Sequence, residues 1–276
     1  MIAFGAFALS RTAISPRTRS RYNGVVHERP PRIQIGHSAL FRTPEGLSNR
    51  LAHSSEPVEL VFPAREDEYL PLLNQLDEIA ERALLHDPGV LSIHAPPLRM
   101  DSGEFPETAL SLARLAETLG ARSVTFHPTK CRRIDGFEAV RAASVANIRR
   151  AQERTAVALS VETLGHRRCI LDEDDISRFG LPMVLDTTHV GWEASARILR
   201  EYHPHIRMIH LSERTADAHH QRIGQSSFDF VAKLVETGWS GSVILEYWPW
   251  RWRCYPEDVA TLAHIVMLSS IEHLRR

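Results

Sequence analysis

From residue 32 onward, short apolar runs alternate with longer amphipathic stretches, the signature of a parallel sheet built from βα units. Eight runs read as strands: 32–36 (RIQIG), 58–62 (VELVF), 91–95 (LSIHA), 123–127 (SVTFH), 158–162 (ALSVE), 183–186 (MVLD), 207–211 (RMIHL) and 242–246 (SVILE). Between them, 70–85, 107–119, 137–156, 194–202 and 228–237 carry apolar residues at helical spacing, and 256–274 predicts a closing helix. A doubly wound sheet normally stops at about five to seven strands, whereas eight units in about 245 residues match a closed barrel. The pattern therefore predicts an α/β chain forming a single-domain (β/α)8 TIM barrel over 32–276. No Gly/Ser/Pro-rich linker divides that span.

Residues 1–31 stand apart. They carry Arg11, Arg17, Arg19, Arg21 and Arg29 with no acid before Glu28, and the apolar stretch precedes the charges, the wrong order for a secretory signal. A disordered N-terminal extension is expected, with an organelle address as the other reading.

Composition narrows the function classes. At 276 residues, 43% hydrophobic and 24% charged, the chain is an ordinary globular one and neither fibrous nor wholly disordered. Its 33 basic and 34 acidic residues leave a formal charge of −1, so no global cationic field draws it to nucleic acid or anionic lipid. Cys131, Cys169 and Cys254 form no CxxC pair, which excludes a thiolate zinc site and a disulfide framework and suggests a reducing, cytoplasmic setting. No apolar run has membrane-spanning length, so no membrane partner is expected.

Barrel active sites form at the C-terminal ends of the strands, and here six of the eight runs end at a metal-ligand type. These are His94, His127, Glu162, Asp186 with His189 close behind, His210 and Glu246. A single histidine at a strand end is ordinarily a hydrogen-bonded barrel residue. Glu162 and Glu246 are different, because a carboxylate following an apolar run into a barrel mouth needs a cation or dense hydrogen bonding to offset desolvation. Six such positions together point to a shared metal site. Imidazole and carboxylate without thiolate suit Zn, Mn or Co, while Mg accepts the carboxylates but seldom needs histidine. The most economical site takes Glu162, Asp186, His210 and Glu246 and leaves His94, His127 and His189 for further metals or substrate oxygens.

The ordered motifs SIHAP, TFHP, VET, LDTTH, IHLSE, HHQRIGQ and ILE resemble the xylose isomerase-like TIM barrels over roughly residues 32–250. That superfamily joins sugar isomerases and epimerases with the endonuclease IV type of abasic-site nuclease (AP endonuclease family 2). In the isomerase branch the resemblance implies one divalent ion held by Glu162, Asp186, His210 and Glu246. The ion would chelate adjacent carbonyl and hydroxyl oxygens and stabilise an enediolate, with Glu162 and Glu246 as the acid/base pair and His94 and His127 orienting hydroxyls or a phosphate. In the nuclease branch it implies three zinc ions. His94, His127 and a bridging Glu162 would hold one, and Asp186, His210 and Glu246 the second. His189 would join an Asp-x-His element at the third, supplied by Asp217 and His219, or by His220 if spacing is counted back from Ile223-Gly224.

The chain departs from the nuclease pattern at HPTK, ETL and HLSERT, and the loops 63–69 and 96–105 each carry more acid than base, which ill suits a phosphate backbone. The expectation is a divalent-metal isomerase or epimerase moving a proton on a small sugar, sugar phosphate or polyol. A zinc phosphodiesterase acting on abasic DNA and a non-catalytic metal-binding barrel are the alternatives. Lys130, Arg132, Arg133, Arg214 and Arg222 supply positive charge near the mouth for a phosphate or carboxylate. The Gly224-Gln225 turn offers backbone N–H groups for the same purpose. Trp192 and Trp248 are candidate pocket walls, while Trp250 and Trp252 read as a rim or a homodimer contact.

Overall fold

A computed structural model describes residues 32–130, 136–165, 169–215 and 218–275. The predicted extension 1–31 lies outside them, as do Cys131, Arg132, Arg133 and Asp217.

Eight parallel strands close into a barrel in sequence order, β8 pairing back onto β1 through Ile33 opposite Gly241 to His37 opposite Leu245. The strands are β1 (Ile33–Leu40), β2 (Val58–Val61), β3 (Val90–His94), β4 (Ser123–Phe126), β5 (Ala158–Glu162), β6 (Met183–Asp186), β7 (Ile206–Leu211) and β8 (Gly241–Leu245). The helices are α1 (Pro44–Leu51), α2 (Glu66–Leu73), α3 (Leu76–His86), α4 (Phe105–Thr118), α5 (Phe137–Gln152), α6 (Glu173–Arg178), α7 (Thr187–Val190), α8 (Trp192–Tyr202), α9 (Gln225–Glu236) and α10 (Tyr255–Arg275). The protein is thus a single-domain (β/α)8 TIM barrel. Among the described residues no helix is long and apolar enough to cross a membrane.

Local chemistry shows why these elements form. Thr43 caps α1, its Oγ1 accepting from the Gly46 N–H at 3.0 Å, and Pro44 presets the first helical turn. Leu47 and Leu51, four apart, then share one buried face against α3, each worth about 1.5–3 kcal/mol of burial. Most of the core lies between strands and helices, and Val184, Met208 and Ile244 form a separate small plug inside the barrel.

Helices α1, α6 and α7 answer to no stretch picked out in the sequence, and two predicted elements are redrawn. The amphipathic stretch 70–85 is split between α2 and α3, because the Asn74 side chain donates to the Leu70 carbonyl at 3.3 Å and ends the first helix. Strand β1 runs on to Leu40, since His37 and Ser38 are buried and mask the alternation a strand normally shows.

Candidate metal centre

Glu162 ends β5 at 1% side-chain exposure, enclosed by three imidazoles. Its Oε2 lies 2.7 Å from His127 Nε2 and 3.2 Å from His94 Nε2, and its Oε1 lies 3.0 Å from His210 Nδ1. Burial alone would raise this carboxyl, but the charges and hydrogen bonds of His127 and His210 hold it well below the ordinary range. Glu246, one residue past β8, places Oε2 3.3 Å from the same His210 Nδ1. Burial opposes its ionisation too, yet the hydrogen bond and charge of His210 bring it down to about 2.

Asp186 ends β6 and has two tasks. Its Oδ1 accepts from the His189 N–H at 2.8 Å and caps the single turn of α7, while Oδ2 lies 3.9 Å from His189 Nε2. Burial first, then the charges of Glu162 and Glu246, push its carboxyl well above the ordinary value. Asp186 Oδ2 is buried and lacks a hydrogen-bond partner, and Glu246 Oε2 is buried with its 3.3 Å contact to His210 Nδ1. Ligand atoms of Glu162, Asp186, His210 and Glu246 all lie within 4.8 Å of one another. A divalent cation fits this set, because it would satisfy Asp186 Oδ2 and offset the burial and mutual repulsion of three clustered carboxylates.

The histidines are held from behind. His94 Nδ1 donates to the Ala95 carbonyl at 3.1 Å, leaving Nε2 toward Glu162. Burial would lower His94, but the hydrogen bond and charge of Glu162 outweigh it and raise the imidazole to about 9. His210 is likewise raised well above its ordinary value, burial being outweighed by Glu59 and Glu162.

Glu59 was not singled out by the sequence reading. It is fully buried inside the barrel, with Oε2 3.1 Å from His210 Nε2 and Oε1 accepting from Ser92 Oγ at 2.8 Å and Thr125 Oγ1 at 3.4 Å. The available signal was a charge at the second position of the otherwise apolar run VELVF. His37 was missed as well. It is buried in β1, 2.8 Å from Ser54 Oγ, with its ring stacked 4.4 Å from Tyr255.

A cavity of about 470 Å³ opens over this cluster, with His94, His127, His220 and Glu246 along its lining. His94, His127 and Glu162 form a second group whose ligand atoms lie within 4.8 Å. His189 is lowered to about 4, chiefly by burial, and its ring centroid lies 5.5 Å from His220 and 6.5 Å from His219. Trp248 lines the cavity, stacked 5.2 Å from Trp250, and its indole N–H donates to the His219 carbonyl at 2.8 Å.

Other residues chosen from sequence lie elsewhere. Arg222 is bound by Asp258 at 2.7 Å and Glu257 at 2.5 Å, outside the cavity lining. Trp192 donates to Glu213 at 3.2 Å and packs on Phe230 instead of walling the cavity. Lys130 pairs through its backbone with Cys169, Arg214 is exposed on the loop after β7, and neither lines the cavity. The Gly224-Gln225 turn holds no vacant anion cradle, because Glu213 Oε1 accepts from Gly224 N at 3.2 Å and Ser227 N at 3.1 Å. An internal carboxylate thus fills the N-terminus of α9.

No protein-family model matches the chain, and no curated protein matches it. Solved structures do. A D-tagatose 3-epimerase-like protein superposes with a TM-score of 0.63 at 16% identity, covering 88% of this chain and 98% of its own. The IOLI protein, solved with a binding zinc atom, gives 0.59 at 15% identity over 87% and 99%. Endonuclease IV from Thermus thermophilus gives 0.58 at 14% identity over 84% and 99%. The chain has the fold of the xylose isomerase-like TIM barrels. Its structural neighbours within that fold are mostly enzymes, among them sugar epimerases and endonuclease IV.

Proposed function

We propose that the protein is a divalent-metal-dependent isomerase or epimerase that moves a proton on a small polyhydroxy carbonyl compound. One observation carries the reading: Asp186 Oδ2, buried and without a hydrogen-bond partner, belongs to a group with Glu162, His210 and Glu246 whose ligand atoms lie within 4.8 Å of one another beneath a 470 Å³ cavity. That volume suits one small molecule better than a nucleic acid strand.

Glu162, Asp186, His210 and Glu246 would hold Zn, Mn, Co or Mg, and the bound cation would supply Lewis-acid polarisation of adjacent substrate oxygens. The proton chemistry falls to the chain's own carboxylates. Glu246, with 21% of its side chain exposed against 1% for Glu162, faces the cavity and takes the proton from carbon, and Glu162 serves as its acid/base partner. His127, 30% exposed and in contact with Glu162, presents its ring edge to a substrate hydroxyl, with His94 behind it. Trp248 gives an apolar face for a sugar ring to stack on.

The second metal-ligand group, His94, His127 and Glu162, favours a second reading, a zinc phosphodiesterase. Elemental mass spectrometry of protein purified without chelator separates the two. About one exchangeable ion per chain, with epimerisation or isomerisation in a panel of sugars and sugar phosphates, supports proton transfer. Two to three zinc ions with incision of abasic DNA replaces it with phosphodiester cleavage, and metal binding without turnover of either kind leaves a non-catalytic barrel.

A further inference from the structure

Glu246 stands where the sheet stops holding the chain. Its N–H still donates to the Leu211 carbonyl at 3.2 Å, but β8 ends at Leu245, and the next N–H, that of Tyr247, leaves the ladder for the Tyr255 hydroxyl at 3.0 Å. A ligand carboxylate on such a residue needs its backbone fixed by something other than the strand.

Tyr247 supplies that fixation through a buried polar chain. Its ring, 5% exposed, stacks on Tyr255 at 4.9 Å, and its hydroxyl donates to Asp258 Oδ2 at 2.9 Å while accepting from the Ile223 N–H at 3.3 Å. Asp258 is buried in the first turn of α10, and Arg222 grips its carboxylate. The guanidinium Nε donates to both oxygens at 2.9 Å and Nη2 to Oδ1 at 2.7 Å. Burying a carboxylate is costly unless charge and hydrogen bonds meet it, and here both do.

An acid in the first turn of a helix ordinarily serves the helix itself. Asp258 turns both oxygens to other elements, the loops that follow β7 and β8. Those loops line the cavity with His220, Glu246 and Trp248. His220, two residues before Arg222, has a left-handed backbone with φ 50°, a conformation that persists where the surroundings enforce it. The Trp248 N–H donates to its carbonyl at 3.4 Å and joins the two loops.

We propose that Asp258 is a positioning residue of the metal centre: clamped by Arg222, it fixes Tyr247, and through Tyr247 it sets where Glu246 presents its carboxylate. It touches neither cation nor substrate. The inference rests on Glu246 being a metal ligand, as in the reading above.

Cobalt titration of the full chain reads the placement of Glu246, because the visible bands of bound cobalt follow its ligand set and geometry. Tyr247→Phe removes one hydroxyl and leaves the Asp258–Arg222 pair in place, and Asp258→Ala removes the carboxylate. Each should shift the bands and weaken cobalt binding about tenfold, measured by competition with a chelator. The double variant should bind no more weakly than Asp258→Ala alone, because both changes act through one contact.

A lowered thermal midpoint with unchanged bands and affinity would make Asp258 structural and overturn the proposal, as would losses that add in the double variant. Tyr247→Phe carries the same reading if Asp258→Ala fails to fold. A parent chain that binds neither cobalt, zinc nor manganese removes the metal-centre reading and this inference with it. A parent that binds cobalt, with the same bands in every variant, removes this inference alone.

Discussion

Glu59 Oε2 and His210 Nε2 face each other at 3.1 Å, wholly buried inside the barrel. With Nε2 facing Glu59, Nδ1 faces Glu162 and Glu246. A carboxylate behind a ligating histidine fixes its orientation and raises its basicity. Glu59→Gln should therefore weaken binding of manganese or zinc by about 10- to 100-fold, measured by competition with a chelator. Unchanged affinity would show that the pair is purely structural.

Substitution of the acid/base pair gives a sharper outcome. Glu162→Gln and Glu246→Gln should each slow turnover by at least about 10²–10⁴-fold, the usual contribution of a positioned general acid or base. Exchange of the substrate carbon proton with deuterated solvent reports the step directly. Full exchange in either variant excludes proton transfer by this pair.

Metal removal should lower stability. With the cation absent, Glu162, Asp186 and Glu246 are buried together, and burial followed by the charges of Glu162 and Glu246 raises the Asp186 carboxyl well above its ordinary value. Saturating metal at about 1,000 times its dissociation constant should add about 4 kcal/mol, seen as a higher thermal midpoint that a chelator reverses. A midpoint indifferent to zinc, manganese, cobalt and magnesium would exclude a cation at this centre.

His37 offers a pH signature away from the cluster. Burial, opposed in part by its hydrogen bond to the Ser38 carbonyl, lowers this imidazole below 6.5, so as pH falls the unfolded chain takes up the proton more readily than the folded one. The stability it contributes is complete above the unfolded value and is lost as pH falls through 6.5 toward the folded value, at no more than about 1.4 kcal/mol per pH unit. Urea denaturation of metal-free protein between pH 7.5 and 5 should show a shallower loss in His37→Gln than in the parent. Parallel curves would mean that His37 does not titrate differently in the two states.

Gly36 in β1 tests the close approach of strand and loop. A Cβ there would stand 2.6 Å from the Pro57 carbonyl oxygen and 2.9 Å from Leu91 Cδ1. The backbone oxygen cannot yield as a flexible side chain can. Gly36→Ala should cost about 1–3 kcal/mol in chemical denaturation, the range for an overpacked core. A change under about 0.5 kcal/mol would mean that the chain at Pro57, just before β2, yields freely.

The eight strands and their order were legible in the linear chain, because a strand buried on both faces writes itself as a short apolar run and the helices between them keep a 3.6-residue stripe. The ends of those runs were equally plain: a carboxylate closing an apolar run, as at Glu162 and Glu246, is a local anomaly that one sequence displays. Boundaries were less so where polar residues are buried, as at His37 and Ser38, or where a side chain ends a helix, as Asn74 does.

Closure of the barrel decided the rest. It brings Glu59 of β2 against His210 of β7 across the interior, a contact between residues 151 positions apart that no periodicity encodes. Surface charges close in sequence to strand ends were sorted by partners distant in the chain: Asp258 of α10 takes Arg222, and Glu213 fills the N-terminus of α9. Arg42, Arg50 and Arg65 come to line one cavity from two different βα units. Hydrophobic pattern determines which residues enter the barrel, because burial is a property each residue expresses locally. Which ionisable groups meet there depends on strand register and loop path, and those exist only once the sheet has closed.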